Sequence, residues 1–270
     1  MTEYAIREYA SGDVPALTAL WRRTFGDGER LLADFFRLLP DMGTGVVAEG
    51  GGELAGAAYA LTGMELVSGA PKAPVCGYIY AVAVDERLRG RGLGGALTRA
   101  AAEKARERGA EIICTLPAER PLYGWYESLL GLRCALRRRV ERIESAALEP
   151  GMELSSTEYM LWRENMLAGR RHLRLSQPSL EFERCLCREN GGGFYAAGSG
   201  IAAAYRDGDT GLIRELLCAD GGRARVAASV GALLGVRDVV LYSPSAVGEE
   251  YIAADPALVP PDCVWNLSFD

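Results

Sequence analysis

Apolar residues in the N-terminal part of the chain recur with spacings that predict alternating helices and strands. The apolar positions behind Asp13 lie at helical spacing, since Val14, Leu17, Leu20 and Trp21 fall on one face. A second helix is expected over 29–39. Two β-rich runs then flank a glycine turn, which predicts a hairpin. These segments are the helix 13–24, the strands 45–48 and 53–61, and the turn 49–52.

The middle of the first half has the order strand, glycine turn, helix, strand. Residues 78–84 are apolar on both faces, which indicates a central strand. Residues 95–108 are rich in strong helix formers and end at Gly109, and 111–116 form another apolar run. A right-handed βαβ crossover is therefore expected, with both strands parallel in one sheet.

The remaining segments predict a second half that repeats this order of elements. A short aromatic helix over 121–130 and a strand-like run over 132–140 precede a linker around 145–156. The fold class is expected to be α/β, a mixed sheet flanked by helices followed by a smaller α/β domain. The predicted domains are 1–144 and 155–270. Within the second half we expect helices at 157–168, 178–188 and 223–234, strands at 193–197, 200–206, 211–218 and 237–242, and no phosphate-binding glycine turn.

Composition changes this picture by excluding several classes of protein. The 270 residues are 49% hydrophobic, which is typical of a soluble globular protein, and their net charge of −6 argues against nucleic acid as the main partner. No apolar run is long enough to span a membrane, so a cytoplasmic protein is expected. The seven cysteines lack paired spacing and are expected to be reduced core residues. With a single histidine, neither a metal site nor a Ser-His-Asp triad is expected.

The segment Arg89-Gly90-Arg91-Gly92-Leu93-Gly94-Gly95 carries the most informative chemistry. Glycines let the backbone bend tightly and turn several N–H groups toward one point, and the helix that follows adds its positive N-terminal end. The two arginines add full positive charge beside these donors. Such a turn is suited to binding a diphosphate.

Two other interpretations of the turn stay open. The spacing Gly90-x-Gly92-x-x-Gly95 also fits the dinucleotide fingerprint, with Glu111 as the ribose-binding acid of an oxidoreductase. Five residues separate this turn from the strand, however, and Glu111 precedes its own strand. A glycine-rich turn without a ligand is the second alternative.

The residues 81–84 followed by Arg89-x-x-Gly92-x-Gly94 and a helix resemble the coenzyme-binding motif of the GNAT superfamily of acetyl-CoA-dependent N-acetyltransferases. The resemblance covers residues 1–142. It implies a sheet splayed between its fourth and fifth strands, with acetyl-CoA as co-substrate and its pantetheine arm in the gap. The implied coenzyme-binding residues are Val82, Ala83, Val84, Arg89, Gly90, Arg91, Gly92, Leu93, Gly94 and Gly95.

The aromatic helix carries a second point of resemblance to the family. In GNAT enzymes a tyrosine of this helix protonates the departing thiolate of CoA, and Tyr126 matches that position best. Four residues rather than three separate Tyr126 from Gly131, and Leu132 replaces the usual aromatic residue. Tyr123 is therefore the reserve candidate, and packing in the core is the alternative role for either tyrosine.

Several other polar residues are candidates for catalytic or surface roles. Glu65, Tyr78 and Tyr80 are candidates for the general base. His172 is expected at the surface, and the arginines 137–139 are expected to keep their charges in water. The C-terminal carboxylate of Asp270 is a further candidate base that the resemblance suggests.

The expected function is transfer of an acetyl group from acetyl-CoA to a primary amine of a small molecule or peptide. The alternative is a non-catalytic acyl-CoA-binding sensor or partner-docking module. Neither nucleic acid nor a membrane is expected as a partner, and a homodimer is compatible with the sequence.

Overall fold

The structure is a computed structural model that describes residues 4–219 and 221–269. Contacts between Cα atoms divide the chain into two compact units. The first unit contains residues 4–66, 72–135 and 252–259, and the second contains 67–71, 136–251 and 260–269. The candidate C-terminal carboxylate of Asp270 lies outside the described residues.

Helices and strands alternate through both units. The helices are α1 (Val14–Phe25), α2 (Glu29–Met42), α3 (Leu93–Glu107), α4 (Arg120–Leu130), α5 (Ser156–Met166), α6 (Gln177–Glu189) and α7 (Arg223–Leu234). The strands are β1 (Ala5–Glu8), β2 (Gly43–Gly50), β3 (Glu53–Leu61), β4 (Met64–Val67), β5 (Val75–Val84), β6 (Ala110–Cys114), β7 (Arg133–Cys134), β8 (Arg137–Glu144), β9 (Gly151–Leu154), β10 (His172–Leu175), β11 (Gly193–Ala197), β12 (Gly200–Asp207), β13 (Thr210–Cys218), β14 (Asp238–Ser245), β15 (Glu249–Glu250) and β16 (Ala253–Ala254). None of the helices in the described part of the chain is long and apolar enough to cross a membrane.

The first unit is built on a mixed sheet in which β1, β2, β3 and β5 are neighbours in that order, and β4 and β6 each pair with β5. Neighbours from β1 to β5 are antiparallel, and β5 and β6 are parallel with α3 as the crossover between them. Because strand residues alternate between faces, the two sides of this sheet bury different side chains. Ala58 and Ala60 pack on the α3 side with Leu97, whereas Tyr59 packs against Trp21 of α1 on the other side.

Helix α3 lies close to the sheet because small residues face one another across the interface. Ala101, Ala102 and Ala105 are fully buried against it. A Cβ added at Gly77 of β5 would lie 2.5 Å from the Cβ of Ala105, closer than two carbon atoms can pack. This close packing fixes where α3 begins relative to the end of β5.

The second unit contains a mixed sheet with the order β15-β8-β14-β13-β12-β11-β9. Its strands β11, β12 and β13 are antiparallel, and α7 then crosses over to β14, which is parallel to β13. The same succession occurs in the first unit as β2, β3, β5, α3 and β6. Gly221 and Gly222 precede α7, and Gly221 has a φ of +82°, so a glycine turn that the sequence analysis did not recognise is present there.

A polar network is buried in the second unit. Arg163 is 1% exposed and donates to Glu215, which is 0% exposed, with an Nε–Oε2 distance of 2.8 Å. The hydroxyl of Tyr159 donates to the same oxygen at 2.9 Å. The buried charge is thus paired and hydrogen-bonded, as a charge removed from water requires.

Some predicted boundaries differ from the structure because tertiary pairing decides them. The expected strand 132–140 is two strands, since β7 pairs with β16 and β8 pairs with β14. Residues 136–144, predicted to belong to the first domain, lie in the second unit for the same reason. The expected linker contains β9, which pairs with β11. None of the seven cysteines, all of which lie in the described residues, forms a disulfide, and Cys134, Cys185 and Cys218 are half-buried rather than buried.

Two expectations about basic side chains were wrong. His172 is 3% exposed, not at the surface, and its ring nitrogens are bonded to the Arg170 carbonyl and to Glu164. Arg138 does not extend into water, because its guanidinium lies 4.1 Å from the ring centroid of Tyr242.

Candidate active site

A gap opens in the first sheet where β5 and β6 diverge. Their parallel pairing runs from Val75↔Ala110 to Tyr78↔Cys114, while β5 continues to Val84. The next residue of the β6 chain, Thr115, exchanges backbone hydrogen bonds with Ala253 at 3.0 and 2.9 Å. The segment that follows β6 therefore diverges from β5, and residues 79–84 of β5 line the gap between them.

Hydrogen bonds hold the point of divergence in place. The Thr115 hydroxyl donates to the Ile79 carbonyl at 2.9 Å, and the Leu116 N–H donates to the Tyr78 hydroxyl at 3.1 Å. Both bonds join β5 to the segment that follows β6, at the point where the pairing of these two strands ends. The gap thus has a fixed closed end.

The edge of β5 along the gap presents backbone groups of Val82 and Val84. The Asp85 N–H donates to the Ala55 carbonyl at 2.9 Å, and hydrogen-bonded pairs alternate along an antiparallel ladder. Ala83 therefore directs its backbone groups toward β3. The Val82 carbonyl and both backbone groups of Val84 point to the opposite edge, where β6 is absent from the ladder.

A β-bulge shapes this edge. The register between β3 and β5 shifts between Ala57 and Tyr59, so that Ala81 and Val82 stand opposite the single residue Ala58. Ala81 has a φ of +46°, in the left-handed region that non-glycine residues rarely adopt. Such strained residues are concentrated at functional sites, which makes this bulge a candidate functional feature.

The glycine turn leads from the end of β5 into the first turn of α3. Gly90 and Gly92 have φ values of +76° and +81°, and a Cβ at either position would meet no atom within 4 Å. Gly92 is the N-cap of α3 and, having no side chain, cannot cap the first-turn N–H groups. The first-turn N–H groups at 93–95 have no partner within the helix, which is the geometry of an anion site.

Positive charge surrounds this turn. Arg89 and Arg91 are exposed, and Arg89 Nε donates to the Val84 carbonyl at 3.2 Å, which holds its guanidinium beside the end of the gap. The nearby carboxylate of Asp85 is paired with Arg87 at 3.0 Å. That side-chain hydrogen bond lowers the pKa of Asp85 to about 2. Its negative charge is therefore already compensated and does not oppose an anion at the turn.

These residues fit a diphosphate bound to the turn with an extended arm in the gap. The unsatisfied helix N–H groups, presented by a turn with positive φ at two glycines, and two exposed arginines are the donors that a pyrophosphate needs. The backbone edge of Val82 and Val84 is open to pair with an amide-containing chain. We call residues 89–95 the cradle. The cradle meets the end of the gap where Arg89 donates to the carbonyl of Val84.

Tyr126 lies on α4 and reaches the closed end of the gap. Its side chain is 7% exposed, packs with Leu97 and Ile79, and shares a hydrogen bond with the Thr115 hydroxyl. Burial raises the pKa of Tyr126, and the hydrogen bond with Thr115 only partly offsets this effect. The phenol keeps its proton at neutral pH.

The other candidates have structural contacts of their own. Tyr123 is half-buried against the same apolar cluster. Tyr78 is 3% exposed, and Tyr80 packs on Trp21 with ring centroids 5.6 Å apart. Glu65 lies on β4 opposite Val75. His172 belongs to the second unit.

Sequence analysis missed Thr115 and Ala81. Thr115 connects the divergence point to Tyr126, and its signal was a lone hydroxyl directly after the apolar strand 110–114. Ala81 had no signal, since alanine does not indicate a positive φ.

The geometry disagrees with the dinucleotide alternative. A 3₁₀ turn, Glu86–Leu88, separates β5 from Gly90, whereas in that fingerprint the first glycine follows the strand directly. Glu111 is the second residue of β6 and bonds to Lys72 at 3.4 Å, far from the carboxyl end of its strand where a ribose acid belongs.

Comparisons with known proteins agree with this geometry. Residues 5–127 match the model of the acetyltransferase (GNAT) domain family. A GCN5-related N-acetyltransferase from Kribbella flavida superposes with a TM-score of 0.70 at 17% identity, covering 94% of this chain and 71% of that one. A conserved protein from Enterococcus faecalis V583, described as a probable N-acyltransferase, has a TM-score of 0.70 at 13% identity over 94% and 72%.

Eis1 from Mycobacterium abscessus is a further structural neighbour, with a TM-score of 0.61 at 16% identity over 92% of this chain and 73% of that one. At these identities the likeness shows the fold. Among curated protein sequences none matches this chain.

Residues 5–127, just under half of the chain, thus match a domain of the GNAT acetyltransferases, a class of acyltransferase. The predicted mixed α/β fold is confirmed by the likeness to these solved structures. Acetyl-CoA is the co-substrate of the family that the segment matches.

Proposed function

We propose that the chain transfers an acetyl group from acetyl-CoA directly to a primary amine of a small molecule or peptide. One observation carries this proposal: the gap beside β5 runs from the cradle at 89–95 to the hydrogen-bonded pair Thr115 and Tyr126. A phosphate-binding end and a proton-donating end lie along a single strand edge. That is the arrangement needed to hold a CoA thioester next to an acid.

The residues of the cradle and of β5 position the donor. Backbone N–H groups at 93–95, with Arg89 and Arg91, would hold the pyrophosphate, and the edge at Val82 and Val84 would pair with the pantetheine amides. Bound acetyl-CoA supplies an acetyl thioester, from which transfer to an amine forms a C–N bond and breaks the C–S bond. A backbone N–H at Val82 or Val84 would stabilise the charge that develops on the carbonyl oxygen.

Tyr126 would supply the proton for the leaving sulfur. Its raised pKa keeps the hydroxyl protonated, and the Thr115 bond orients it at the closed end of the gap. The acceptor must lose a proton to become neutral, and Glu65, Tyr78 and Tyr80 are the proposed candidates for that base. The net charge of −6 favours cationic acceptors such as amines.

The test is turnover of acetyl-CoA with a panel of primary amines that includes polyamines, amino sugars and free peptide N-termini. Released thiol is measured together with the mass of the acetylated amine, and reactions without amine report hydrolysis. Thiol release matched by acetylated product supports the proposal. Thiol release without acetylated product, or its absence with every amine, contradicts it.

A second candidate function is an acyl-CoA-binding module without turnover. The observation that favours it is the burial of Tyr126, which is 7% exposed within an apolar cluster and serves packing as well as it would serve catalysis. Tight binding of acetyl-CoA without turnover in the amine panel would favour this function.

For the second unit we propose a degenerate copy of the same fold, in line with a domain covering 155–270. The succession of β11, β12, β13, α7 and β14 repeats that of β2, β3, β5, α3 and β6, including the parallel last pair. The arginines after its glycine turn are engaged, since Arg223 donates to Ser243 and Arg225 to Glu149. The turn is thus not equipped as the cradle is.

A further inference from the structure

A third arginine extends to the phosphate-binding end of α3. Arg99 lies in the second turn of this helix and is exposed. Two of its guanidinium nitrogens lie 3.8 and 3.9 Å from the position that a Cβ on Gly95 would occupy. Long side chains on a helix point back toward its N-terminus, and here that direction brings the charge beside the first turn. The guanidinium of Arg99 is therefore next to the cradle, although its Cα lies outside it.

Folding alone does not favour a cation at this place. The N-terminal end of a helix carries partial positive charge, which disfavours a nearby cation. The first turn of α3 contains no acidic residue that would compensate it. Arg99 makes no ion pair with a carboxylate in the described part of the chain, although Glu103 follows it by one helical turn. The charge of Arg99 is thus available to an anionic ligand.

The position of Arg99 differs from that of the groups already assigned to the pyrophosphate. The N–H groups at 93–95 point along the helix axis, and Arg89 and Arg91 belong to the turn itself. Arg99 lies instead at the side of the helix near α4, since the same Cβ on Gly95 would lie 3.4 Å from Leu129. A phosphate bound by Arg99 would thus lie beside the pyrophosphate rather than within it.

Coenzyme A carries one phosphate besides its pyrophosphate, the 3′-phosphate of its ribose. A phosphate monoester has a charge of about −1.5 to −2 at neutral pH, and arginine binds such a group with two parallel N–H bonds. We propose that Arg99 binds this 3′-phosphate and makes the site selective for coenzyme A over its 3′-dephospho form. The inference rests on the proposed function, because it takes the cradle as the coenzyme site.

The test is calorimetric titration of the full-length protein with CoA and, separately, with 3′-dephospho-CoA, at the same low ionic strength. The two ligands share the pantetheine arm and the pyrophosphate, and they differ in the 3′-phosphate. We expect the wild type to bind CoA about tenfold or more tightly than dephospho-CoA, because a hydrogen bond between two charged groups contributes about that much.

A matched pair of variants separates contact with the 3′-phosphate from general charge. Arg99→Gln should weaken CoA binding about tenfold and leave dephospho-CoA binding within about twofold, and the second result also shows that the variant is folded. Arg106→Gln removes an exposed charge about 10 Å further along α3 and should change neither affinity more than about twofold.

The possible failures differ in what they reject. Equal weakening of both ligands in Arg99→Gln, an effect of Arg106→Gln as large as that of Arg99→Gln, or equal affinity of the wild type for both ligands would overturn the role of Arg99 while leaving the coenzyme site at 89–95 intact. A wild type that binds neither ligand would contradict that site itself, and this inference with it.

Discussion

Replacing Tyr126 by phenylalanine isolates the role of one hydroxyl at the closed end of the gap. The ring of Tyr126 is 7% exposed and packs with Leu97 and Ile79, so phenylalanine keeps these contacts. What is lost is the hydrogen bond to Thr115 and the proton that we assign to the leaving sulfur.

The two losses differ in size. Removing one neutral hydrogen bond costs about 0.5–1.5 kcal/mol of stability, and Thr115 keeps its bond to the Ile79 carbonyl, so no buried donor is stranded. Loss of a general acid lowers kcat by about 10²–10⁴-fold. The variant should therefore stay folded and bind acetyl-CoA normally while turning over far more slowly.

The assay compares kcat, KM for acetyl-CoA and the urea midpoint for the wild type, Tyr126→Phe and Tyr123→Phe. Tyr123 lies on the same helix and is the matched control, for which kcat should stay within about threefold of the wild type. A Tyr126→Phe protein with wild-type kcat would refute the assignment. A loss confined to Tyr123→Phe would transfer the role to that residue.

Three further predictions concern stability. Gly77→Ala should lower the free energy of unfolding by about 1–3 kcal/mol, because its Cβ would lie 2.5 Å from a methyl group of α3. Gly124→Ala, at an exposed position of α4, should raise it by up to about 1 kcal/mol. Urea unfolding measures both, and equal effects would be inconsistent with close packing of α3. Arg163→Met should lower the free energy of unfolding by about 3–5 kcal/mol, because it leaves the Glu215 carboxylate buried and unpaired. Adding Glu215→Leu should restore most of this stability, and a double-mutant cycle measures the effect. Burial raises the pKa of Tyr59 above its unfolded value near 10. Above that pH the unfolded state therefore binds fewer protons than the folded state, and the free energy of unfolding should fall by about 1.4 kcal/mol per pH unit for each such tyrosine. Urea midpoints that stay constant from pH 9 to about 11 would contradict this prediction.

The elements with strong local patterns could be predicted from the sequence. Helix α3 was expected because alanine-rich helical spacing follows a glycine turn, and it is observed at Leu93–Glu107. Strand β5 was expected because it is apolar on both faces. The cradle residues could be proposed for the same reason, since glycine and arginine have few other uses in that pattern.

The remaining features depend on contacts between distant residues. Strand β1 is mostly exposed and lacks apolar alternation, so non-local contacts such as its ladder with β2 and the bonds of Arg7 to Asp13 and Glu49 define it. The gap exists because Thr115 pairs with Ala253, more than a hundred residues away, and no local pattern encodes that choice. The bulge at Ala81 likewise depends on the register between β3 and β5.

We predict above all that residues 89–95 bind the pyrophosphate of acetyl-CoA. Calorimetric titration with acetyl-CoA and, separately, with NADH tests it on the wild type and on an Arg89→Glu, Gly92→Glu double mutant. Arg106→Glu is the control, since it reverses an exposed charge about 20 Å along α3 from the cradle.

We expect micromolar binding of acetyl-CoA, on the order of −8 kcal/mol, to the wild type and to the Arg106→Glu control, with loss of binding in the double mutant. Absence of acetyl-CoA binding to the wild type would contradict the claim. Binding of NADH in its place would assign the glycine turn to a dinucleotide.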